Sequence, residues 1–124
     1  MNAGLFLLIA VAGGLGAGLR YVVDVLVTGR VAARFPRGIF VVNVAGSFTL
    51  GLVTGLAAGI LPADLVAVLG TGLLGGFTTF STVSVDTALL LRDGERRRAW
   101  VNIAGTVVAC VAAAALGLAL GALA

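Results

Sequence analysis

The chain has 124 residues, of which 60% are hydrophobic and only 10% are charged, with a formal net charge of +3. This balance excludes an ordinary water-soluble domain of this size, because too little charged surface is available to keep it in solution. Histidine is absent and cysteine occurs once, which excludes an intrachain disulfide and a cysteine and histidine metal cluster. The composition therefore predicts a protein whose main solvent is lipid.

Four apolar stretches follow one another along the chain, and each is long enough to cross a hydrocarbon core of about 30 Å as a helix. They are residues 4–28, 38–60, 65–91 and 99–122. The first stretch lacks a basic leading segment and a convincing cleavage site, so it is interpreted as a membrane helix and not as a secretory signal. The sequence thus predicts an all-α membrane protein with a single four-helix transmembrane domain over residues 1–124.

The arginines are unevenly distributed between the two ends of the predicted helices. The loops after the first and third helices share seven of them, namely Arg30, Arg34, Arg37, Arg92, Arg96, Arg97 and Arg98. The second loop and both termini contain none, so the positive-inside rule predicts that loops 1 and 3 are cytoplasmic and both termini external. Arginines in such short loops lie nearest to anionic headgroups, which makes the bilayer of the cell inner (plasma) membrane the predicted partner, and not nucleic acid.

Glycine pairs with the spacing that lets membrane helices approach closely occur in the first three predicted helices. The pairs are Gly14 with Gly18, Gly51 with Gly55, and Gly72 with Gly76. Plain helix packing is the favoured interpretation of the first two pairs. Because four helices of this size enclose little volume, we expect an oligomer around any transport pathway.

The third helix is predicted to break near its middle, in the segment GGFTTFST that begins at Gly75. Paired glycines followed by hydroxyl and β-branched residues weaken a helix, and irregular backbone at membrane depth survives only inside protein or beside a wet cavity. Freed carbonyls, such as those of Gly75 and Thr78, can bind a sodium ion. The hydroxyls of Thr79, Ser81 and Thr82 can donate to an anion. The alternative is that the hydroxyls bond back to carbonyls one turn earlier and the glycines only pack.

Two uncharged polar stripes accompany this segment. Asn43 and Ser47 lie one turn apart on the second helix, and Asn102, Thr106 and Cys110 recur at the same spacing on the fourth. A pathway for a strongly hydrated small anion needs donors that replace water, without a fixed cation that would trap the ion. The amide of Asn43 serves equally well as hydrogen-bonding glue between helices, so both interpretations stay open.

Two further side chains are candidates for contact with an anion. The ring edge of Phe80 carries partial positive charge and can face an anion, although packing in a core is the commoner role of phenylalanine. Arg20, near the end of the first helix, either extends its head to the membrane surface or attracts anions into a vestibule. The sequence leaves these alternatives open.

Three segments resemble the signatures of one family, the Fluc/CrcB fluoride channels. GGLGAGLRY from Gly13 is similar to its GGxxGAxxRY, GIFVVNVAGSF from Gly38 to its GTLxVNxxGxF, and GGFTTFST from Gly75 to its GGxTTFST. Length, helix number and loop placement fit over essentially the whole chain. The resemblance implies an antiparallel dimer that passes fluoride passively and selectively out of the cytoplasm, with a structural sodium ion at the dimer interface.

The resemblance also implies roles for individual residues. The carbonyls of Gly75 and Thr78 are expected to bind the sodium ion. Asn43, Phe80, Ser81 and the polar stripe around Thr106 are expected to line the anion path, with Arg20 in a vestibule. The polarity argument adds Ser47 and Thr82 to this predicted anion-path set.

The chain departs from the family pattern in two ways. Val83 stands where the pattern has a second phenylalanine, and Ile39 where it has threonine. The arginine bias predicts one orientation, whereas an antiparallel homodimer requires each chain to insert both ways. A homodimeric channel, an obligate heterodimer with a paralogous chain of opposite topology, and a non-conducting subunit therefore remain open. A small multidrug transporter is less favoured because Asp24, the acid of the first helix, lies near the arginine-rich end of that helix. An enzyme is less favoured still, because the sequence offers no set of acid-base and nucleophilic residues for catalysis.

Overall fold

The computed structural model describes residues 1–29 and 35–124, and within these residues four helical spans are long and apolar enough to cross a membrane. The elements are α1 (Ala3–Thr28), α2 (Arg37–Leu56), α3 (Ala63–Val66), a π-helical segment (Ala67–Leu74), α4 (Gly75–Phe77), α5 (Phe80–Arg92) and α6 (Arg96–Ala122). The elements from α3 to α5 form the third span, which is interrupted after Phe77. The predicted all-α membrane fold with a break in the third helix is confirmed. Arg30 and Arg34 of the predicted first loop lie outside the described residues.

The ends of the first two helices follow from local sequence. Asn2 caps α1, because its side chain accepts a hydrogen bond from the Leu5 N–H at 2.8 Å. Gly29 ends the helix with a φ of 77°, a left-handed conformation that glycine adopts without strain. α2 ends at Leu56, earlier than predicted, because residues 57–60 form turns before the third span.

The closest packing in the bundle joins α2 to α6. A Cβ atom added to Gly51 would collide with the carbonyl oxygen of Ala114, and one on Gly55 would lie 2.6 Å from that of Leu118. On α6, a Cβ atom added to Gly117 would collide with the carbonyl oxygen of Phe48 in α2. Because the contacts advance in the same direction along both helices, the two run parallel. Only glycine permits so close an approach of two helix backbones.

A second parallel pair consists of α1 and the first half of the third span. Gly72 lies against the carbonyl of Ile9 and Gly76 against the backbone of Gly13, so the contacts advance in the same direction along both elements. The pair that the sequence also assigned to packing, Gly14 with Gly18, behaves differently, since no described atom lies within 4 Å of a Cβ added to either residue. That face of α1 is therefore left for lipid or another chain.

The two glycine-packed pairs determine where the interior of the bundle lies. Sequential helices also touch, as the short connections predict, but the most extensive contacts join first to third and second to fourth spans. Few large side chains are fully buried, and the largest are Val42, Val83 and Asn102. Many leucines and valines face outward instead, as expected for helices surrounded by lipid or by a partner chain.

Candidate functional site

A reciprocal pair of hydrogen bonds holds the break in the third span. The side-chain amide of Asn43 donates to the carbonyl of Thr79 at 2.9 Å, and the Thr79 N–H donates to Asn43 Oδ1 at 2.8 Å. A carboxamide offers a donor and an acceptor side by side, so it replaces the helical partners that Thr79 lacks. Asn43 therefore joins α2 to the third span by hydrogen bonds. Its side-chain amide has a second N–H that these two hydrogen bonds do not use.

The threonines of the break are engaged in local hydrogen bonds. The hydroxyl of Thr78 donates back to the carbonyl of Leu74 at 3.0 Å, which is the alternative that the sequence left open for such side chains. Thr79 caps α5, because its Oγ1 accepts from the Thr82 N–H at 3.2 Å. The Thr79 hydroxyl also donates to Thr82 Oγ1 at 3.3 Å. These bonds fix the direction in which the helix resumes.

The carbonyl groups of Gly75 and Thr78 are among those that lose their regular helical donors at the break. In an α-helix, the carbonyl of residue i accepts from the N–H of residue i+4. The Thr79 N–H, the regular partner of the Gly75 carbonyl, donates to Asn43 instead. The Thr82 N–H, the regular partner of the Thr78 carbonyl, donates to Thr79 Oγ1 instead. These are the two carbonyls that the sequence predicts as sodium ligands, and oxygen atoms of this kind suit that cation.

The described ranges, 1–29 and 35–124, contain no multidentate site of acidic, cysteine and histidine side chains for a metal ion. No group of three or more histidine, cysteine, aspartate or glutamate side chains there is arranged to hold an ion. Backbone carbonyls freed at the break would favour a hard cation over a soft transition metal.

A cavity of about 310 Å³ lies beside the break, between α2 and α6. Its lining consists of Asn43, Ser47, Thr78, Thr79, Phe80, Thr106, Val107, Cys110 and Val111. None of these nine side chains is charged. The cavity thus brings together four members of the predicted anion-path set, which are Asn43, Ser47, Phe80 and Thr106.

The polar stripe of α6 divides between the interior and the cavity. Asn102 faces inward, where its amide donates to Thr87 Oγ1 at 2.9 Å. Thr106, one turn later, is 4% exposed, and its Oγ1 is buried without a hydrogen-bond partner among the described residues. A buried polar group left unpaired costs about 1–3 kcal/mol. The structure therefore leaves one hydroxyl group unpaired on a residue that lines the cavity.

Phe80 and Val83 lie one turn apart on α5 but face different environments. Phe80 is 63% exposed and lines the cavity, so it is not a core side chain. Val83 is 1% exposed and is buried in the interior of the chain. The position at which the sequence lacks the expected second phenylalanine thus points away from this cavity, which the sequence did not reveal.

Three members of the predicted anion-path set do not line the cavity. Ser81 is exposed on α5, Thr82 is half-buried at the start of the same helix, and Arg20 is half-buried on α1. Conversely, the wall includes Val107, which the prediction omitted. It also includes Cys110, which the sequence placed in the polar stripe of the fourth helix without naming it as a separate anion-path residue.

Asp24 belongs to the junction between α1 and α2. Its Oδ1 accepts a hydrogen bond from the Thr28 hydroxyl at 3.1 Å, and the Gly38 N–H donates to Thr28 Oγ1 at 3.2 Å. The carboxylate lies one turn from the end of α1 and does not line the cavity. The arrangement therefore gives no support to a multidrug transporter, which needs a carboxylate inside the membrane pathway.

Comparison with known proteins finds similarity along nearly the whole chain. The family model described as "CrcB-like protein, Camphor Resistance (CrcB)" matches residues 7–118. A "Fluoride-specific ion channel FluC 1" of Leifsonia xyli subsp. xyli is 47% identical over 119 residues, which cover 95% of this chain and 87% of the relative. A protein of the same name from Symbiobacterium thermophilum is 49% identical over 119 residues, with 94% and 96% covered. The "Fluoride-specific ion channel FluC 2" of Cutibacterium acnes is 45% identical over 115 residues, with 91% and 94% covered.

Proposed function

The chain belongs to the CrcB family, and from this membership we propose that it is a subunit of a fluoride-selective channel that exports fluoride passively from the cytoplasm. The similar proteins carry the name of fluoride-specific ion channels. The observation in this chain that carries the proposal is the uncharged cavity beside the break in the third span. Its chemistry suits transport of an anion and includes no arrangement for bond making or breaking.

The cavity offers what a small anion needs on leaving water. Fluoride gives up its hydration shell only where other donors replace it, and it moves on only where no full positive charge holds it. The Thr106 hydroxyl, the Ser47 hydroxyl and the unused N–H of Asn43 are such donors. The ring edge of Phe80 adds partial positive charge. Fluoride accordingly passes along uncharged contacts that α2, the break and α6 hold in place.

A structural sodium ion at the break forms part of the proposal. The carbonyls of Gly75 and Thr78 would hold it, since their regular helical donors are directed to side chains. A sodium ion would bind these carbonyl dipoles and stabilise the interrupted helix. The residues around the break fit this ion without any acidic side chain.

We place a second chain of opposite orientation against the break. Irregular backbone does not face lipid, yet the non-helical residues Thr78 and Thr79 are only half-buried in the single chain, and Phe80 and Ser81 beside them are exposed. A partner must cover them within the membrane. A homodimer meets this need only if the chain inserts both ways, whereas the bias of arginines towards loops 1 and 3 favours a single orientation. A heterodimer with a paralogous chain of opposite bias meets both conditions.

A second candidate is a subunit that conducts only beside its partner or not at all. The observation that favours it is the buried Val83, which leaves this chain without the second pore phenylalanine of its family. In a heterodimer, the partner would contribute the missing ring. This candidate shares the fold and family of the first and differs in whether the chain is sufficient by itself.

Fluoride efflux from liposomes that contain only this chain separates the two candidates. A fluoride electrode records the efflux, and chloride efflux from matched liposomes measures selectivity. Fast fluoride efflux without chloride efflux is the expected result for a self-sufficient channel. Folded protein without efflux, followed by efflux on addition of a paralogous chain, would establish the obligate heterodimer. Folded protein that stays inactive with the paralogue would contradict the channel proposal.

Membrane orientation is open to a separate test. We propose that loops 1 and 3 are cytoplasmic and that both termini are external, because Arg37, Arg92 and the arginines at the start of α6 lie at one end of the bundle. Alkaline phosphatase fused after Ala124 is expected to be active, since it folds only outside the cytoplasm. Green fluorescence from a matched fusion would indicate the reverse orientation.

A further inference from the structure

Cys110 is the single cysteine of the chain and lies near the middle of α6, on the wall of the cavity. Thr106, one turn earlier, lines the same cavity, and its buried hydroxyl has no described partner. Side chains four residues apart on a helix share a face, with Cβ atoms about 5–6 Å apart. A residue with a soft sulfur ligand and a residue with an unpaired hydroxyl therefore line the same cavity.

We propose that Cys110 binds soft monovalent metal cations, for which silver is the probe, and that a bound cation blocks the anion pathway. The blocking effect rests on the proposed function, whereas the binding site does not. Thiolate sulfur prefers soft cations over the hard ions that carbonyls bind. This site is thus distinct in chemistry from the sodium site at Gly75 and Thr78.

Binding of silver is a proton exchange without oxidation or reduction. The S–H bond of Cys110 breaks and its proton passes to water, while the sulfur electron pair forms an S–Ag bond. The charges of thiolate and silver cancel, so the site stays neutral. The lone pair of Thr106 Oγ1 offers a second, weaker contact, which satisfies the buried hydroxyl.

The position of the thiol determines which reagents reach it. A hydrated cation cannot enter the hydrocarbon core, so a thiol at mid-membrane reacts with silver only through a polar cavity. Cys110 is half-buried and borders that cavity, whereas Val108, two residues earlier, is 69% exposed on the outer face of the same helix. A thiol at residue 108 would face lipid or a partner chain. The two positions therefore form a matched pair for the test.

The blocking effect follows from the position of the bound ion. Silver on the sulfur, together with the oxygen ligand that completes its coordination, occupies the wall next to the Thr106 hydroxyl. Fluoride then loses its approach to this donor. A neutral, filled wall offers the anion no replacement for the water that it must give up.

The test uses the full-length chain in liposomes, in a nitrate medium free of chloride because silver chloride precipitates. Fluoride efflux is recorded before and after addition of silver nitrate, and dithiothreitol is then added to remove the metal. We expect silver to abolish efflux in the native chain and dithiothreitol to restore it. The Cys110→Ser variant is compared with its own untreated rate, which silver should leave unchanged. Native mass spectrometry should find one silver ion per native chain, which has a single cysteine, and none on the variant.

The matched control moves the thiol to the outer face of α6. The double variant Val108→Cys, Cys110→Ser should retain no silver and keep its own untreated efflux rate. Equal block in this variant or in Cys110→Ser would overturn the proposal, as would a native chain that conducts fluoride normally with silver bound. If the native chain conducts fluoride neither alone nor together with a paralogous chain before silver is added, the proposed function fails. The number of silver ions bound per chain then tests the metal site independently of conduction. One ion on the native chain and none on Cys110→Ser would support the site, and any other result would overturn it.

Discussion

The contact between α2 and α6 and the break in the third span lie next to each other, but different forces hold them. Between the helices, Gly117 and Gly51 lie so close to the opposite backbone that an added Cβ would collide with it. At the break, Asn43 supplies the donor and the acceptor that the backbone of Thr79 lacks. The first region depends on the absence of side-chain atoms, and the second on particular atoms being present. Substitutions should therefore disrupt them in opposite ways.

Adding bulk to the helix contact should give the largest effect. In Gly117→Leu, the new side chain would meet the carbonyl of Phe48, so α2 and α6 must separate along their whole contact. We expect a loss of about 3 kcal/mol or more, the upper range for overpacking, and little folded protein. Thermal unfolding in detergent measures the loss of stability, and the yield of protein extracted from the membrane measures the loss of folded protein.

The matched control is Gly105→Leu on the same helix. No described atom lies within 4 Å of a Cβ added to Gly105, so the bundle should tolerate this substitution. A Gly117→Leu variant with native stability would show that the two backbones are not in the close contact described for α2 and α6.

Removing atoms from the break should give the next largest effect. Asn43→Ala leaves the N–H and the carbonyl of Thr79 without their partners, at about 1–3 kcal/mol for each buried group. We expect lower thermal stability together with slower fluoride efflux, because the break and one pathway donor are lost together. Ser47→Ala is the control, since Ser47 lies one turn away on the same cavity wall and makes no bond to Thr79. Native stability in Asn43→Ala would contradict the bridging role.

Local sequence predicted the spans and the break, but not which helices pack most closely. Apolar runs and the paired glycines at Gly75 act within a few residues, so their effect can be read directly. The rotation of each helix about its axis depends on all of its neighbours. For this reason the spacing of Gly14 with Gly18 predicted a contact that α1 does not make, while the same spacing in Gly117 with Gly121 was overlooked.

The candidate site shows the same limit. Residue types and helical spacing predicted Asn43 and Thr106 as members of polar stripes. The sequence left two roles open for Asn43, because its partner Thr79 is 36 positions away and is reached only through the fold. It also could not show that Val83 is buried while Phe80 is exposed. Both follow from the direction in which α5 resumes after the break.

Phe80→Leu should lower the rate of fluoride efflux without lowering thermal stability. Leucine keeps much of the bulk but removes the ring edge, whose interactions are worth about 0.5–1.5 kcal/mol, or roughly twofold to tenfold in rate. Because Phe80 is largely exposed, we expect fluoride efflux to fall by this factor with little change in thermal stability. An efflux rate equal to that of the native chain would remove the ring from the pathway. Phe80→Tyr keeps the ring and should conserve more of the rate.

Thr106→Val should have the smallest effect on stability. Stability should stay the same or rise, whereas fluoride efflux should become slower. Valine has the shape of threonine without the hydroxyl, so the substitution removes a buried group that has no described partner. We expect unchanged or higher stability, by up to about 1 kcal/mol, with slower fluoride efflux. Thr87→Val is the matched control, because the Thr87 hydroxyl donates to Val83 and accepts from Asn102, and its loss should lower stability. If both variants lose the same stability, the Thr106 hydroxyl serves the interior as Thr87 does, and the cavity beside the break is not where fluoride takes its hydrogen bonds.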